Sequence, residues 1–400
     1  MYYEDELIKF SLTNLVPIVD FNMINPRLNV LLPSLSASGA FGGLATQVDL
    51  PLQVFEHSLV DRGWKLRFIC TGPAPLPEDN IVNRWIERRG LDPAPVACHY
   101  NSGSGAPVPV ARGDLFMGSL WFNMSWALPL MRFQQSQFGG SKRPYISMVQ
   151  DYEAGFHPWS SAYMLATAAY DNEWPKRVIF NSTELAAFYK ARGHTSEASF
   201  TFEPVLNAAL REALADPSSP KKERRILLYG RPKSRRNCFF LAKRALELWA
   251  ERYENAHAWR IVSVGAAYPP FALSGAVPVD VLGKLTLLQY ADELHRAAVG
   301  LSLMASPHPS YPPLEMAHFG ALTICNNFEC KDMTAWHDNL SPVAVPDPEH
   351  LAEALTMACR RFDADPAVGL VGRTRKPLYL KETDTAVLDG IAQIVTHEIS

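Results

Sequence analysis

The sequence predicts an α/β protein of two domains, each a parallel β-sheet covered by helices. The 400 residues exceed what one core of ordinary size needs. Short apolar runs alternate with amphipathic helical stretches in both halves of the chain. A polar, proline-bearing segment at 213–225 separates the halves. We therefore expect two Rossmann-like domains, 1–215 and 216–377, that face a central cleft, and a C-terminal helix at 378–400 that packs on the first.

The first domain opens with a strand, helix and strand unit over residues 27–72, the unit that builds parallel sheets. Further strands are predicted at apolar runs 114–122, 144–152 and 176–181. Ser182 precedes a helical pattern at 183–193 and is predicted to cap it. The residues before Asn29 support no assignment.

The second domain repeats the same alternation of strands and helices. Its predicted strands are 223–232, 258–269, 297–306 and 321–327. Its predicted helices are 238–253, 286–297, 311–320 and 347–362.

Composition excludes several classes of protein. Apolar residues make up 48% and charged residues 20%, as in ordinary globular proteins. A net charge of -3 argues against a broad basic face for nucleic acid. The start of the chain lacks a signal-peptide pattern and no apolar run approaches 20 residues, so we expect a cytoplasmic protein. Six cysteines without a CxxC pair disfavour a zinc site and a disulfide framework.

A glycine-rich turn joins the first strand to its helix. Gly39, Gly42 and Gly43 do not form the GxGxxG pattern of dinucleotide-binding oxidoreductases. Small residues before a helix let a ligand phosphate approach the backbone, which makes Gly42 and Gly43 candidate donor-binding residues. An ordinary tight turn is the alternative, and the pattern taken alone favours it.

A cluster of basic residues follows the first strand of the second domain. The strand ends at Gly230, and the next seven residues include four basic side chains, Arg231, Lys233, Arg235 and Arg236, and then Asn237. Guanidinium groups bind phosphate oxygens bidentately, and a helix start adds backbone donors, so the segment suits a diphosphate. A solvated basic loop is the alternative.

A second polar segment precedes a later helix. Pro312 and Pro313 mark the helix start, and Glu315 follows within one turn. The carboxylate is placed to accept hydrogen bonds from sugar hydroxyls. Polar side chains in or beside the preceding turn are Ser306, His308, Ser310 and Tyr311. In the alternative, the two prolines only mark where the helix begins.

Two acidic residues follow a strand of the first domain. Asp151 and Glu153 are candidates to orient or deprotonate an acceptor hydroxyl. Asp151 could instead cap a helix around Ser160. Asp114 and Trp121 are weaker candidates of the same kind.

No metal site is predicted. His99, His194 and His337 lack partners at metal-ligand spacing. Asp363 and Asp365 form a D-x-D segment of the kind a metal-dependent enzyme uses, but it follows a helix near the C-terminus and is interpreted as a turn.

Three blocks of the chain resemble WsaF-type rhamnosyltransferases of glycosyltransferase family 4. They are LLYGRPKSRRN at 227–237, VLGKLTLLQY and its continuation at 281–339, and VQDYEAGFHPWSSAYMLA at 149–166. The likeness extends roughly from Leu28 to Cys359. It implies the GT-B fold, a retaining transfer of L-rhamnose from dTDP-L-rhamnose, and no metal or other cofactor.

The resemblance also implies roles for individual residues. Arg231 would hold the diphosphate with help from Arg236, and Lys284 would face the nucleotide sugar. Tyr311 and Glu315 would complete the donor pocket. The family commonly has two glutamates separated by seven residues, but Pro307 replaces the first here. A 6-deoxy sugar needs fewer polar contacts, which is compatible with rhamnose.

The expected partners are a nucleotide-sugar donor and a glycan acceptor, free or lipid-linked. Attachment to the inner face of the cell membrane and a homodimer both stay open. Two other functions predict different features. A nicotinamide-dependent oxidoreductase would show the dinucleotide glycine pattern, and a non-catalytic glycan-binding or scaffold protein would keep the fold without turnover.

Overall fold

The computed structural model describes residues 7–8, 10, 12–36, 43–101, 106–216, 218, 220–273, 277–382 and 384–397. The chain forms two compact units. Unit 1 comprises Met1–Phe202 and Asp384–Ser400, and unit 2 comprises Glu203–Thr383. Each contains a seven-stranded, predominantly parallel sheet with helices, so the predicted two-domain α/β fold class is confirmed.

Unit 1 contains nine described strands. They are β1 (Pro17–Val19), β2 (Arg27–Leu32), β3 (Lys65–Cys70), β4 (Val96–Tyr100), β5 (Val108–Val110), β6 (Asp114–Gly118), β7 (Tyr145–Val149), β8 (Lys176–Phe180) and β9 (Ala198–Thr201). The main sheet has the order β4-β3-β2-β6-β7-β8-β9 and is parallel throughout, while β1 and β5 form a separate parallel pair. Every residue of β2, β6 and β8 is buried, as expected for strands covered on both faces.

Five helices connect the strands of unit 1. They are α1 (Gly43–Val54), α2 (Ile81–Arg89), α3 (Trp121–Phe138), α4 (Ser161–Asp171) and α5 (Thr183–Ala191). The predicted cap of α5 is confirmed, because Ser182 Oγ accepts a hydrogen bond from Leu185 N at 3.1 Å.

A buried ion cluster lies at the amino-terminal edge of the unit 1 sheet. Asp114 is fully buried and accepts hydrogen bonds from Arg27 Nε at 2.7 Å and Arg27 Nη2 at 2.9 Å. Its Oδ2 also accepts from Ala111 N at 2.8 Å, and Arg67 lies 3.7 Å away. These contacts make Asp114 a structural residue that ties β2, β3 and β6 together, and they leave it no face toward an acceptor.

The described residues of unit 2 form seven strands. They are β10 (Glu223–Gly230), β11 (Arg260–Gly265), β12 (Phe271–Ala272), β13 (Pro278–Gly283), β14 (Ala297–Leu301), β15 (Leu322–Asn326) and β16 (Leu340–Val343). The described strands lie in the order β12-β13-β11-β10-β14-β15-β16, and only the short β12 is antiparallel to its neighbour.

The helices of unit 2 cover both faces of its sheet. They are α6 (Ala208–Leu214), α7 (Phe239–Arg252), α8 (Leu287–Arg296), α9 (Tyr311–His318) and α10 (Pro348–Ala364). One apolar cluster joins α7 and α10 to one face, and a second joins α6, α8 and α9 to the other.

The boundary between the units differs from the predicted one. Residues 203–215 were assigned to the first domain, but Leu206 and Leu210 are buried in the unit 2 cluster with Ala291 and Leu294. Leu206 N also donates to Tyr379 O at 2.7 Å. The boundary therefore lies between residues 202 and 203, because α6 buries its apolar side on α8.

The last helix, α11 (Thr385–Thr396), packs on unit 1. Ile391 and Val395 are buried in that unit's core, and Arg177 Nη1 donates to Ile394 O at 3.0 Å. Among the described residues, no helix has the length and apolarity needed to cross a bilayer.

Candidate functional site

The candidate site lies where the parallel strands of unit 2 end. Strands β13, β11, β10 and β14 are neighbours, so their carboxyl ends meet at one edge of the sheet, here named the carboxyl edge. Lys284 follows β13, Arg231 follows β10, and residues 302–310 follow β14. Ligands of α/β sheets bind at such an edge.

A tight turn carries the basic residues into a helix. Residues 231–237, here named the basic turn, fold back through a hydrogen bond from Ser234 N to Arg231 O at 3.0 Å. A 3₁₀ turn over Arg235–Asn237 follows, and Cys238 has a φ of 51° before α7 begins. In the described part of the chain, no side chain caps the start of α7. Its first backbone N–H groups therefore point toward the carboxyl edge and favour an anion there.

Two glycines let the chain approach closely around Arg231. A Cβ atom on Gly230 would collide with Ser263 Oγ and with the hydroxyl of Tyr268. Gly265 has a φ of 111°, and a Cβ there would lie 3.2 Å from Arg231 Cγ. The stem of Arg231 thus runs against the end of β11, while the residue as a whole remains exposed. Its guanidinium group is free to reach a bound ligand.

Asn237 presents an unusual buried amide. The side chain is 2% exposed, and neither its Oδ1 nor its Nδ2 has a hydrogen-bond partner among the described residues. An unpaired buried amide costs free energy on the order of 1–3 kcal/mol. A ligand that supplies both a donor and an acceptor would remove that cost.

The loop after β14 is tied to the basic turn. Ala305 N donates to Arg236 O at 2.7 Å, so the two segments lie side by side. Asn326 Oδ1 accepts from Met304 N at 2.8 Å, and Lys331 Nζ donates to Met304 O at 2.8 Å. These bonds fix the loop at the point where it meets the turn.

The same loop leads into α9 through a chain of local hydrogen bonds. Ser306 Oγ accepts from His308 N at 3.1 Å, and His308 Nδ1 accepts from Ser310 N at 3.0 Å. All three residues are buried. Ser310 has a φ of 70°, a strained conformation of the kind that persists at functional sites. This backbone conformation of Ser310 sets the direction in which the chain enters α9 at Tyr311.

Glu315 is a buried carboxylate one turn into α9. It is 9% exposed, and burial raises its pKa to about 7. The hydroxyl of Tyr290, on α8, donates to Glu315 Oε2 at 2.9 Å and partly offsets that rise in the pKa. Burial and the Glu315 charge together raise the pKa of Tyr311 to about 12. Glu315, Tyr290 and Tyr311 therefore form one local group.

Lys284 lies further along the same edge. It is exposed and follows Gly283, whose φ of 69° turns the chain at the end of β13. Thr286 then caps α8 by accepting from Gln289 N at 3.3 Å. Since β11 separates β13 from β10, Lys284 starts roughly 10 Å across the sheet from Arg231, at about 5 Å per strand. The edge suits an extended anionic ligand.

The two acidic candidates of unit 1 occupy different surroundings. Glu153 is 8% exposed, and its Oε2 accepts from Trp121 N at 2.5 Å, at the first residue of α3. Asp151 is half-buried, and its Oδ1 accepts from Tyr152 N at 2.8 Å. The alternative in which Asp151 caps the next helix is wrong, because Ser160 caps α4. Of the two carboxylates, Asp151 is the more accessible.

Replacing Glu153 by alanine is expected to destabilise unit 1. The change removes the acceptor of a buried N–H at a helix start, which costs about 1–2 kcal/mol. Thermal unfolding of Glu153→Ala beside Asp151→Ala measures this, and we expect the larger loss of stability for Glu153→Ala. Equal stability of the two variants would show that the contact with Trp121 N is not structural.

The glycine turn is only partly described. Gly42 lies outside the described residues. Gly43 is the first residue of α1, and its carbonyl accepts from Gln150 Nε2 at 2.9 Å. Gln150 Nε2 also donates to Ser119 Oγ at 2.6 Å. Gly43 thus lies at the carboxyl edge of the unit 1 sheet, beside the residue that precedes Asp151.

The histidines have structural contacts. His194 Nδ1 lies 2.5 Å from Asp171 Oδ1, and the rings of His318 and His337 lie 4.4 Å apart, centroid to centroid. Burial lowers the pKa of His337 to about 4. In the described part of the chain, no three His, Cys, Asp or Glu residues are grouped to hold a metal ion.

Sequence reasoning did not find three residues of the unit 2 site. Tyr290 and Lys331 act through contacts distant in the chain. Ser302 directly follows β14, and its buried Oγ lacks a partner among the described residues. The sequence signal for two of them is a polar group within an otherwise apolar segment. Tyr290 carries a hydroxyl beside the buried face of α8, and Ser302 lies between Leu301 and Leu303.

Both units match domain models of one known protein family. The family model for the WsaF N-terminal domain matches residues 27–183, and that for the WsaF C-terminal domain matches residues 224–356. The chain is also 30% identical over 202 residues to the O-antigen biosynthesis protein RfbC of Myxococcus xanthus. That match spans 50% of this chain and 15% of RfbC.

Solved structures show the same fold. A mutant of S. aureus TarM in complex with fondaparinux, α-GlcNAc-glycerol and UDP superposes with a TM-score of 0.57 at 8% identity, covering 93% of this chain and 100% of that one. WaaG, a glycosyltransferase involved in lipopolysaccharide biosynthesis, gives 0.54 at 14% identity, covering 93% and 100%. At these identities the likeness establishes the GT-B fold. With both WsaF domains matched in order along that fold, the chain belongs to the WsaF family.

Proposed function

We propose that the chain transfers a sugar from a nucleotide diphosphate to a growing cell-surface glycan, with the donor held at the carboxyl edge of unit 2. The observation that carries this proposal is the basic turn, which brings Arg231 and Arg236 to the uncapped start of α7. Guanidinium groups and unpaired backbone N–H groups are the donors that bind phosphate oxygens best.

Charge stabilisation is the main chemical task of such a site. The bond between the anomeric carbon and the diphosphate breaks, and negative charge develops on the leaving phosphate oxygens. Arg231, Arg236 and Lys284 would stabilise that charge from fixed positions. In this proposal the three cations perform the role that a metal ion performs in metal-dependent transferases.

Glu315 would contact the sugar. Its ionised carboxylate accepts hydrogen bonds from donor hydroxyls, and Tyr311 lies beside it at the start of the same helix. Retention at the anomeric carbon, by attack on the face that the diphosphate leaves, is the stereochemistry proposed from the family 4 resemblance. Asp151 is our candidate to orient the acceptor hydroxyl.

The proposed donor is dTDP-L-rhamnose. Proline at position 307 removes the carboxylate that related transferases use on the transferred sugar. A 6-deoxy sugar has one hydroxyl fewer and tolerates that loss. The likeness to an O-antigen biosynthesis protein supports a polysaccharide as the acceptor.

A panel of nucleotide sugars tests the donor. We expect dTDP-L-rhamnose to raise the melting temperature more than UDP-glucose or GDP-mannose, with EDTA present throughout, since ligands that bind the folded state stabilise it. Release of dTDP should then increase when a glycan acceptor is added. Binding without acceptor-dependent release would instead indicate a non-catalytic protein.

Tyr290→Phe tests whether Glu315 acts as a carboxylate. The hydroxyl of Tyr290 lowers the pKa of Glu315, so its removal raises that pKa further. If the ionised form is needed, kcat/KM rises with pH through about 7 in the wild type, and in the variant we expect this rise at a pH about one unit higher. A loss of activity that is the same at every pH would contradict this role.

A further inference from the structure

Unit 1 contains a cavity that the proposed transfer reaction does not use. It has a volume of about 220 Å³ and lies between the end of α3 and the residues that precede β6 and β7. Its lining includes Arg112, Arg143, Gln135, Ser141 and Phe138. Pockets for drug-sized ligands occupy roughly 300–1,000 Å³, so this cavity suits a small group rather than a whole nucleotide sugar.

The cavity is positively charged. Two of its lining residues are arginines, and its lining, drawn from the described residues, contains no carboxylate. Arg143 Nε is buried, and nothing in the described part of the chain accepts a hydrogen bond from it. Arg112 lies over the Phe138 ring at 5.6 Å. Two carboxylates of this edge, Asp20 and Asp114, are already paired with Arg27. Among the described residues, no carboxylate forms a hydrogen bond or ion pair with Arg112 or Arg143, although the charge of Asp114 acts on Arg143.

Exposed apolar side chains lie next to the cavity. Phe21 is 80% exposed and touches Phe138 edge-on, with ring centroids 6.1 Å apart. Ile24 is 88% exposed, and the adjacent Asn25 and Pro26 lie against Gly113, next to Arg112. A basic cavity with an exposed aromatic at its rim fits an amphiphile whose head is anionic.

The cavity is also separate from the carboxyl edge of its sheet. Arg112 and Arg143 precede strands β6 and β7, and Ile24 precedes β2, so all lie at the amino ends of the strands. Gly43 and Asp151 lie at the opposite ends of the same strands. A ligand in the cavity would not occupy the acceptor position proposed above.

We propose that the cavity binds the phosphate of an anionic lipid headgroup, with Arg112 and Arg143 as its ligands and with Phe21 and Ile24 entering the lipid surface. The phosphate supplies a hydrogen-bonding anion for the two guanidinium groups. The apolar side chains distinguish a lipid from a free phosphate, because a soluble ligand would give Phe21 nothing to bury against.

Sedimentation of the full chain with vesicles tests the proposal. We expect binding to vesicles of mixed phosphatidylcholine and phosphatidylglycerol, and little binding to phosphatidylcholine alone. The double variant Arg112→Ala, Arg143→Ala should partition about 25-fold more weakly, at about five-fold per basic residue. Phe21→Ser, a change at an exposed site that leaves the core intact, should weaken binding about ten-fold. Arg132→Ala is the matched control, because Arg132 is exposed on α3 outside the cavity.

Three outcomes would overturn the assignment: no binding to anionic vesicles, binding that the double variant retains, or equal losses for Arg132→Ala and the cavity variants. A fourth is stabilisation by inorganic phosphate through the two arginines without vesicle binding, which would assign the cavity to a soluble phosphate. Release of dTDP from soluble substrates should be unchanged in every variant, so this test stands apart from that of the transfer reaction.

Discussion

Replacing Arg231 by alanine is expected to lower kcat for sugar transfer by about 100- to 1,000-fold at saturating donor. That is the range observed when one preorganised donor to a developing negative charge is removed. The stem of Arg231 is held against Gly265, and the turn that carries it is closed by the bond from Ser234 N to Arg231 O. The guanidinium group is thus positioned before the donor binds. Steady-state kinetics with dTDP-L-rhamnose and a glycan acceptor measure the effect.

The matched control is Arg244→Ala. Arg244 lies on the exposed side of α7 and pairs with Glu247 at 3.1 Å, so its loss changes the net charge equally without touching the basic turn. We expect near-normal kcat for this variant. A kcat for Arg231→Ala close to that of the wild type, or an equal loss for both variants, would refute the role of Arg231.

Glu315→Gln is expected to weaken donor use and to stabilise the protein at the same time. The amide keeps the size of the side chain and an acceptor for Tyr290, but it loses the charge that strengthens hydrogen bonds from sugar hydroxyls. A hydrogen bond to a charged group is worth about 1.5–3 kcal/mol, so kcat/KM should fall about 10- to 100-fold. Unchanged kinetics would remove Glu315 from the site.

The gain in stability has a defined pH dependence. Glu315 has a folded-state pKa of about 7, above the value near 4.3 of an unfolded glutamate. The folded state therefore binds the extra proton between these values, and the wild-type protein loses stability as pH rises through that window. Glutamine does not titrate, so the variant's advantage should grow from near zero at about pH 4 to about 3–4 kcal/mol above about pH 7.

Thermal unfolding at several pH values measures this difference. Glu247→Gln is a suitable control, because Glu247 is a carboxylate on the surface of α7 whose pKa is lowered by its pairing with Lys243 and Arg244. It should show no stabilisation at high pH. If the stability advantage of Glu315→Gln over the wild type did not vary with pH, ionisation of Glu315 would not be what destabilises the folded wild-type protein.

The strands that were predicted are those with uninterrupted apolar runs. Strands β2 and β8 are buried on both faces, so their residues carry a clear signal. Strand β4 was missed because it lies at the sheet edge and contains the polar His99, and β13 begins with a proline. Periodicity is weak where only part of a strand is covered.

Of the candidate site, the sequence predicts the residues that are close together in the chain but not the contacts between distant ones. The basic turn could be found because its residues are consecutive in the chain and follow a strong strand. The group formed by Tyr290 and Glu315 spans 25 residues, and the contact of Glu153 with Trp121 N spans 32. Such contacts depend on how helices are placed in the fold, and local patterns do not encode that placement.

A crystal structure of the chain with dTDP would show directly where the diphosphate binds. We expect phosphate oxygens within hydrogen-bond distance of the Arg231 guanidinium and of the first backbone N–H groups of α7. A diphosphate bound elsewhere, with Arg231 pointing into solvent, would contradict this prediction.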